Sequence, residues 1–114
     1  MRLEARKYLF DIRLAADSIA AFCAGKNFEQ YRADELLRAA VERKFGIIGE
    51  ALARLAKDDP AVAARIPKHP RIIAFRNIIV HGYASVDDRI VWGVIEADLP
   101  ALRAALRELL SNTG

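Results

Sequence analysis

The stretch Ile72-Ile73-Ala74-Phe75-Arg76-Asn77-Ile78-Ile79-Val80-His81-Gly82-Tyr83 decides the fold of this chain. Its apolar residues fall on nearly every side of a 3.6-residue turn, and a helix that is apolar all round belongs in the centre of a bundle. Pro70 fits the first turn of such a helix, where a missing N–H costs nothing. Gly82 is a natural stop. Arg76, His81 and Tyr83 have no packing reason to stand there. A mismatch between local pattern and local composition marks a candidate functional site.

On both sides of this stretch the chain also has helical character. No segment alternates with period two, and no Asn-Gly or Asp-Gly hairpin signal occurs. A first helix is predicted from about Leu3 to Ala24, ending at Gly25. Leu3, Lys7, Phe10, Leu14, Asp17 and Ala21 trace one row along it, and Phe10, Leu14, Ile19 and Phe22 are expected to supply most of its apolar face. A second helix is predicted from a cap at Asp34 to about Lys57, before Asp58-Asp59-Pro60. Leu37, Val41, Ile48, Leu52 and Leu55 recur at helical spacing as one buried stripe. Gly46 and Gly49 share a face within it, each costing up to about 1 kcal/mol relative to Ala. They admit a close approach by another helix or by a ligand. Ala61 to Ile66 is expected to form a short third helix ended by Pro67. Asp87 or Asp88 caps a last segment through Leu110, which Pro100 kinks or splits near Asp98-Leu99. The expected fold is all-α, an up-and-down bundle of four to five helices, in a single domain over residues 1–114. No internal repeat, low-complexity tract or dividing linker interrupts it.

A chain of 114 residues buries roughly two thirds of its unfolded surface, so it needs neither disulfide nor metal to fold. With 54% hydrophobic and 29% charged residues it has a globular composition rather than a disordered one. Cys23 stands alone and has no internal disulfide partner, which makes a reducing, cytoplasmic setting the default. Arg6, Lys7, Asp11, Arg13 and Asp17 interrupt the first apolar stretch, so no secretory signal is expected. No window approaches the roughly 20 uncharged apolar residues of a membrane span. The net charge of +3 is small, but its distribution is informative. Between Asp59 and Asp87 there is no acidic residue, while Arg65, Lys68, Arg71, Arg76 and both histidines fall there. The basic surplus is local to the segment carrying the candidate site.

Five residues place His81 about 140° around the helix from Arg76. Arg76 shares a face with Val80 and Tyr83, and Asn77 shares one with His81. Arg76 and His81 meet if the arginine reaches around, if the chain turns at Gly82, or if a second copy faces the first across a dimer interface. His81 falls in the last helical turn, where the negative dipole end favours an imidazolium and suits general acid–base work. Arg76 is a permanent, forked cation, the usual partner of a phosphate. Together they suggest phosphodiester chemistry without a metal. From spacing alone, a packed histidine and a solvated arginine are the commoner readings. Other chemistries fit less well. His69 and His81 are twelve residues apart with no cysteine pair, which is no zinc pattern. Gly46-Ile47-Ile48-Gly49 follows no strand and makes no phosphate loop. Ser18, Ser85 and Ser111 lie in no nucleophile elbow. No cofactor is indicated. Glu50, beside Gly49, is a further candidate, with a solvent-facing helix carboxylate the commoner reading.

The stretch from Arg76 to Tyr83 resembles the Arg-x4-His-x-Tyr motif of HepT-like toxins, compact members of the HEPN superfamily of helical ribonucleases. Phe45-Gly46-Ile47-Ile48-Gly49-Glu50-Ala51 is similar to the family's glycine–glutamate helix segment. Val86 to Trp92 and Asp98-Leu99-Pro100-Ala101-Leu102 are similar to its C-terminal helix with an Asp-Leu-Pro break. The bare Arg-x4-His pattern is common by chance. With Asn77, Gly82-Tyr83 and both flanking segments it is specific, and the chain fits in order and length.

The resemblance implies a HEPN-like homodimer in which motif residues of both subunits line one cleft. It implies metal-independent cleavage of RNA, with tRNA a candidate substrate. His81 would act as general base or acid at the ribose 2′-hydroxyl, Arg76 would stabilise charge on phosphorus, and Asn77 would orient one of them. It further implies a toxin–antitoxin pair. The partner would be an MntA-like minimal nucleotidyltransferase that moves AMP from ATP to Tyr83, adding bulk and a negative phosphate beside Arg76. Family members often carry a tryptophan after an Ile-Pro pair. Here Ile66-Pro67 is followed by Lys68-His69-Pro70, which makes Lys68 and His69 candidate phosphate contacts. The alternative function is a non-catalytic helical module that binds a nucleotide or a nucleotidyltransferase as a regulatory subunit.

Overall fold

Seven helices are formed by the described residues, 1–82 and 86–111 of this computed structural model. They are α1 (Leu3–Cys23), α2 (Phe28–Ala33), α3 (Glu35–Asp58), α4 (Pro60–Ala63), α5 (His69–Gly82), α6 (Asp88–Ala97) and α7 (Leu99–Ser111). No strand occurs among the described residues. The expected all-α bundle is present. The short α4 stands where a third helix was expected, though it ends earlier, the last segment is divided at Asp98 as expected, and the short α2 is the unexpected element among the described residues. None of the described helices is long and apolar enough to cross a membrane.

α3 is the axis of the bundle. It packs against α1 and α5, while α7 lies against α1, and α6 joins α7 and α2. Asp34 starts α3 as expected, its Oδ1 accepting the Leu37 N–H at 3.0 Å. Leu37, Val41, Ile48, Leu52 and Leu55 all face the core. α2 has a reciprocal cap, with Asn27 Oδ1 accepting the Gln30 N–H and Gln30 Oε1 accepting the Asn27 N–H, both at 2.9 Å.

Two expectations are corrected. The inward face of α1 is the row Ala5, Leu9, Ile12, Ala16, Ile19 and Cys23, whereas Phe10, Leu14 and Phe22 are exposed. Two apolar rows run along α1, and only contact with α3 and α7 determines which one is buried. The motif helix α5 is not central either. It packs chiefly on α3 through Ile72 and Phe75, and Ile78 and Val80 remain exposed.

Lys68 and Asp98 fix the start of α5. Lys68 precedes the helix in the left-handed region, with φ 57°, a conformation costing a non-glycine residue roughly 1–2 kcal/mol. Its carbonyl accepts the Ile72 N–H at 3.1 Å. Its ammonium lies 3.5 Å from Asp98 Oδ1, and Arg71 Nη2 lies 3.6 Å from Asp98 Oδ2. Asp98 is the one buried charged residue among those described, and it sits at the α6–α7 junction. A buried carboxylate requires cationic partners, so it holds the first turn of α5 against that junction.

Candidate active site

α5 is seated on α3 through two adjacent contacts. Phe75 meets Phe45 edge-on, with ring centroids 5.1 Å apart. One turn further along α3, Gly49 receives Arg76. A Cβ on Gly49 would overlap the Cβ and Cγ of Arg76, and would stand 3.4 Å from its Cδ. The stem of Arg76 therefore lies directly on the α3 backbone. Gly46 has open space in the same test, so only one of the two glycines serves a close approach between helices.

The guanidinium is held at its base and oriented by its neighbour. Arg76 Nη1 donates to Asn77 Oδ1 at 3.0 Å. Arg76 Nε is buried and has no protein partner. Among the described residues no carboxylate pairs with Arg76, whereas Arg13, Arg32, Arg38, Arg54, Arg71 and Arg103 are so paired. A half-buried guanidinium with no carboxylate partner among the described residues leaves hydrogen-bonding capacity for an anion.

His81 is exposed in the last turn of α5. Five residues at helical rise put it about 7.5 Å along the axis from Arg76, on a different face. Asn77 lies between them, bonded to Arg76 and one turn before His81. Each side chain has an exposed apolar neighbour on its own face: Ile78 for His81 at i,i+3 and Val80 for Arg76 at i,i+4. Tyr83 lies outside the described residues.

The remaining sequence candidates lie elsewhere. Glu50 is exposed, ion-paired to Arg54 at 3.5 Å, and lines a 210 Å³ cleft between α1 and α3 with Lys7, Asp11 and Arg43. Lys68 is bound to Asp98, and His69 is the first residue of α5. Both stand at the opposite end of that helix, about 20 Å from His81 at helical rise. The sequence reasoning did not single out Asp98 and Arg71, which help set the position of α5. The Asp-Leu-Pro break marks the junction, but the burial of Asp98 depends on Lys68, 30 residues away.

The family model for ribonuclease HepT-like proteins matches residues 12–109. A protein of Thermococcus cleftensis named "Probable ribonuclease HepT" is 30% identical over 109 residues, covering 96% of this chain and 98% of that protein. A protein of Caldanaerobacter subterraneus subsp. tengcongensis, named as a candidate RNase, is 30% identical over 107 residues, covering 94% and 95%. One of Methanocaldococcus jannaschii, named in the same way, is 25% identical over 100 residues, covering 88% and 91%. No solved structure gives a significant match. The chain belongs to the ribonuclease HepT-like family, and its fold is that of a HEPN-type ribonuclease.

Proposed function

From membership of the ribonuclease HepT-like family, we propose that this chain is the toxin of a toxin–antitoxin pair. It is an endoribonuclease that cuts RNA in the cytoplasm, tRNA among its substrates, without a metal ion. Arg76 carries the reading: it is a half-buried guanidinium, oriented by Asn77, with no carboxylate partner among the described residues. In the reaction a ribose 2′-oxygen attacks the adjacent phosphorus and the bond to the 5′-oxygen breaks. The products are a 2′,3′-cyclic phosphate and a 5′-hydroxyl. The 2′-hydroxyl loses a proton to a base and the departing oxygen gains one. His81 performs one of these transfers. Arg76 stabilises the added charge on the phosphoryl oxygens, and Asn77 holds its guanidinium in place. Lys68 and His69 would contact phosphates of the strand beyond the scissile one.

A homodimer completes the cleft in this reading. One helix does not present Arg76 and His81 to the same phosphate, since they lie about 140° apart. Burying Ile78, which is 52% exposed and shares the face of His81, against the second protomer brings one protomer's His81 toward the Arg76 of the other. Mixing Arg76→Ala with His81→Ala protein is then expected to restore about a quarter of wild-type activity, because half the dimers are mixed and each holds one intact site of two. No recovery in mixed dimers would show that the two residues act within one protomer.

An MntA-like nucleotidyltransferase is the proposed antitoxin. The Tyr83 phenol oxygen attacks the α-phosphorus of ATP and pyrophosphate leaves, which places a phosphate on the motif in competition with RNA. Tyr83→Phe is expected to cleave RNA and to escape neutralisation. Efficient neutralisation of that variant would remove adenylylation from the account. Absence of cleavage by protein whose mass shows no adduct would favour a non-catalytic regulatory module instead.

A further inference from the structure

An apolar stripe on α1 is left uncovered by the rest of the protomer. Leu3 is 79%, Phe10 49% and Leu14 53% exposed, and Ala21 is exposed as well. Isolated exposed apolar residues are ordinary, whereas several on one face of one helix mark a contact surface. With Lys7 and Asp17 these residues form one row, Leu3-Lys7-Phe10-Leu14-Asp17-Ala21, whose spacing alternates between four and three. That is the spacing of a coiled-coil seam.

The row is symmetric about position 12. Leu3 and Ala21, Lys7 and Asp17, and Phe10 and Leu14 are equidistant from that point. Two copies of α1 laid antiparallel about it set Phe10 against Leu14 and Lys7 against Asp17, each twice. A parallel arrangement would set Lys7 against Lys7 and Asp17 against Asp17. The charges therefore select the antiparallel register. Lys7 has no ion-pair partner among the described residues. Asp17 is bonded to Arg103 at 2.8 Å and lies 3.6 Å from Arg13, with 39% of its side chain still exposed. Beside the stripe, α1 and α7 border a 710 Å³ groove lined by Phe10, Arg13, Ala104 and Arg107, which offers room for side chains of an opposing helix.

We propose that α1 is a self-association surface, pairing antiparallel with α1 of a second copy of this chain. The surface is on a different helix from the motif and does not depend on the ribonuclease reading. Combined with a two-fold contact through α5, a two-fold contact through α1 yields a tetramer if the arrangement closes and a chain of dimers if it does not.

Cysteine pairing in the full chain tests the register, in a Cys23→Ala background. Leu3→Cys protein mixed with Ala21→Cys protein is expected to form a disulfide-linked dimer under mild oxidation. Leu3→Cys alone is expected to remain unlinked, because in the antiparallel pair its two copies lie about 27 Å apart. Adding Leu14→Glu to both proteins is expected to abolish the link while circular dichroism retains the helical signal. Failure of the mixed pair to link, equal linking by Leu3→Cys alone, or a link that survives Leu14→Glu would overturn the proposal.

Discussion

Gly49 of α3 and Arg76 of α5 touch so closely that a methyl group on Gly49 would occupy the space of the Arg76 Cβ and Cγ. The overlap is with the base of the side chain, which moves only with the α5 backbone. Gly49 thus sets the distance between the two helices at the position of the candidate catalytic cation.

Gly49→Ala is expected to push α5 away from α3. Overpacking of this kind costs about 1–3 kcal/mol, and a displacement of the guanidinium by 1 Å lowers cleavage on the order of 100-fold. Gly46→Ala, where the added methyl meets nothing, is expected to retain activity and to gain stability from helix propensity. Thermal midpoints and cleavage rates of the two variants, measured side by side, check this. Equal behaviour would contradict the role given to Gly49.

Much of this was legible in the sequence, for identifiable reasons. The α3 stripe and the Asp34 cap follow from local spacing, and local spacing is what the chain prints. Two outcomes were not legible because they depend on partners distant in sequence. α1 has two apolar rows, and the row that faces inward is chosen by α3 and α7. α5 is apolar all round, which describes a central helix as well as one whose outer face meets another molecule. At the site, the pairing of Gly49 with Arg76 was visible only as a glycine able to accept some neighbour. α2 could have been found, because Asn27 and Gln30 stand at capping-box spacing.

The clamp at the start of α5 gives a second expectation. Lys68→Ala and Arg71→Ala singly leave Asp98 one cation, and each is expected to cost little, since surface cations can shift to compensate. The double variant leaves a buried carboxylate with no counter-charge and is expected to cost on the order of 3 kcal/mol. Denaturant titrations of the three variants measure this. Simple additivity of two small effects would show that Asp98 is held by something other than these two residues.

Glu42 gives a pH-dependent expectation. Burial raises the Glu42 carboxyl above its ordinary value, and Asp88 raises it further, against a smaller opposing effect of Arg38. An acid whose folded value is raised favours folding when protonated, so its cost builds as pH rises from the ordinary value to the folded one and persists at neutral pH. Glu42→Gln is expected to raise Tm at pH 7, with the gap closing as pH falls toward the ordinary carboxylate range near about pH 4. A gap that is constant with pH, or of opposite sign, would contradict the burial effect.

The most direct test of the central claim is cleavage of RNA in EDTA by wild type, Arg76→Ala and His81→Ala, with the new termini identified. His81 is exposed, and Arg76→Ala keeps the Cβ that rests on Gly49, so both variants are expected to retain the helical circular dichroism of wild type. Wild type alone is expected to cut and to leave 2′,3′-cyclic phosphate, with each variant reduced by at least about 100-fold. Equal cleavage by wild type and His81→Ala, or products ending in 3′-hydroxyl, would contradict the account.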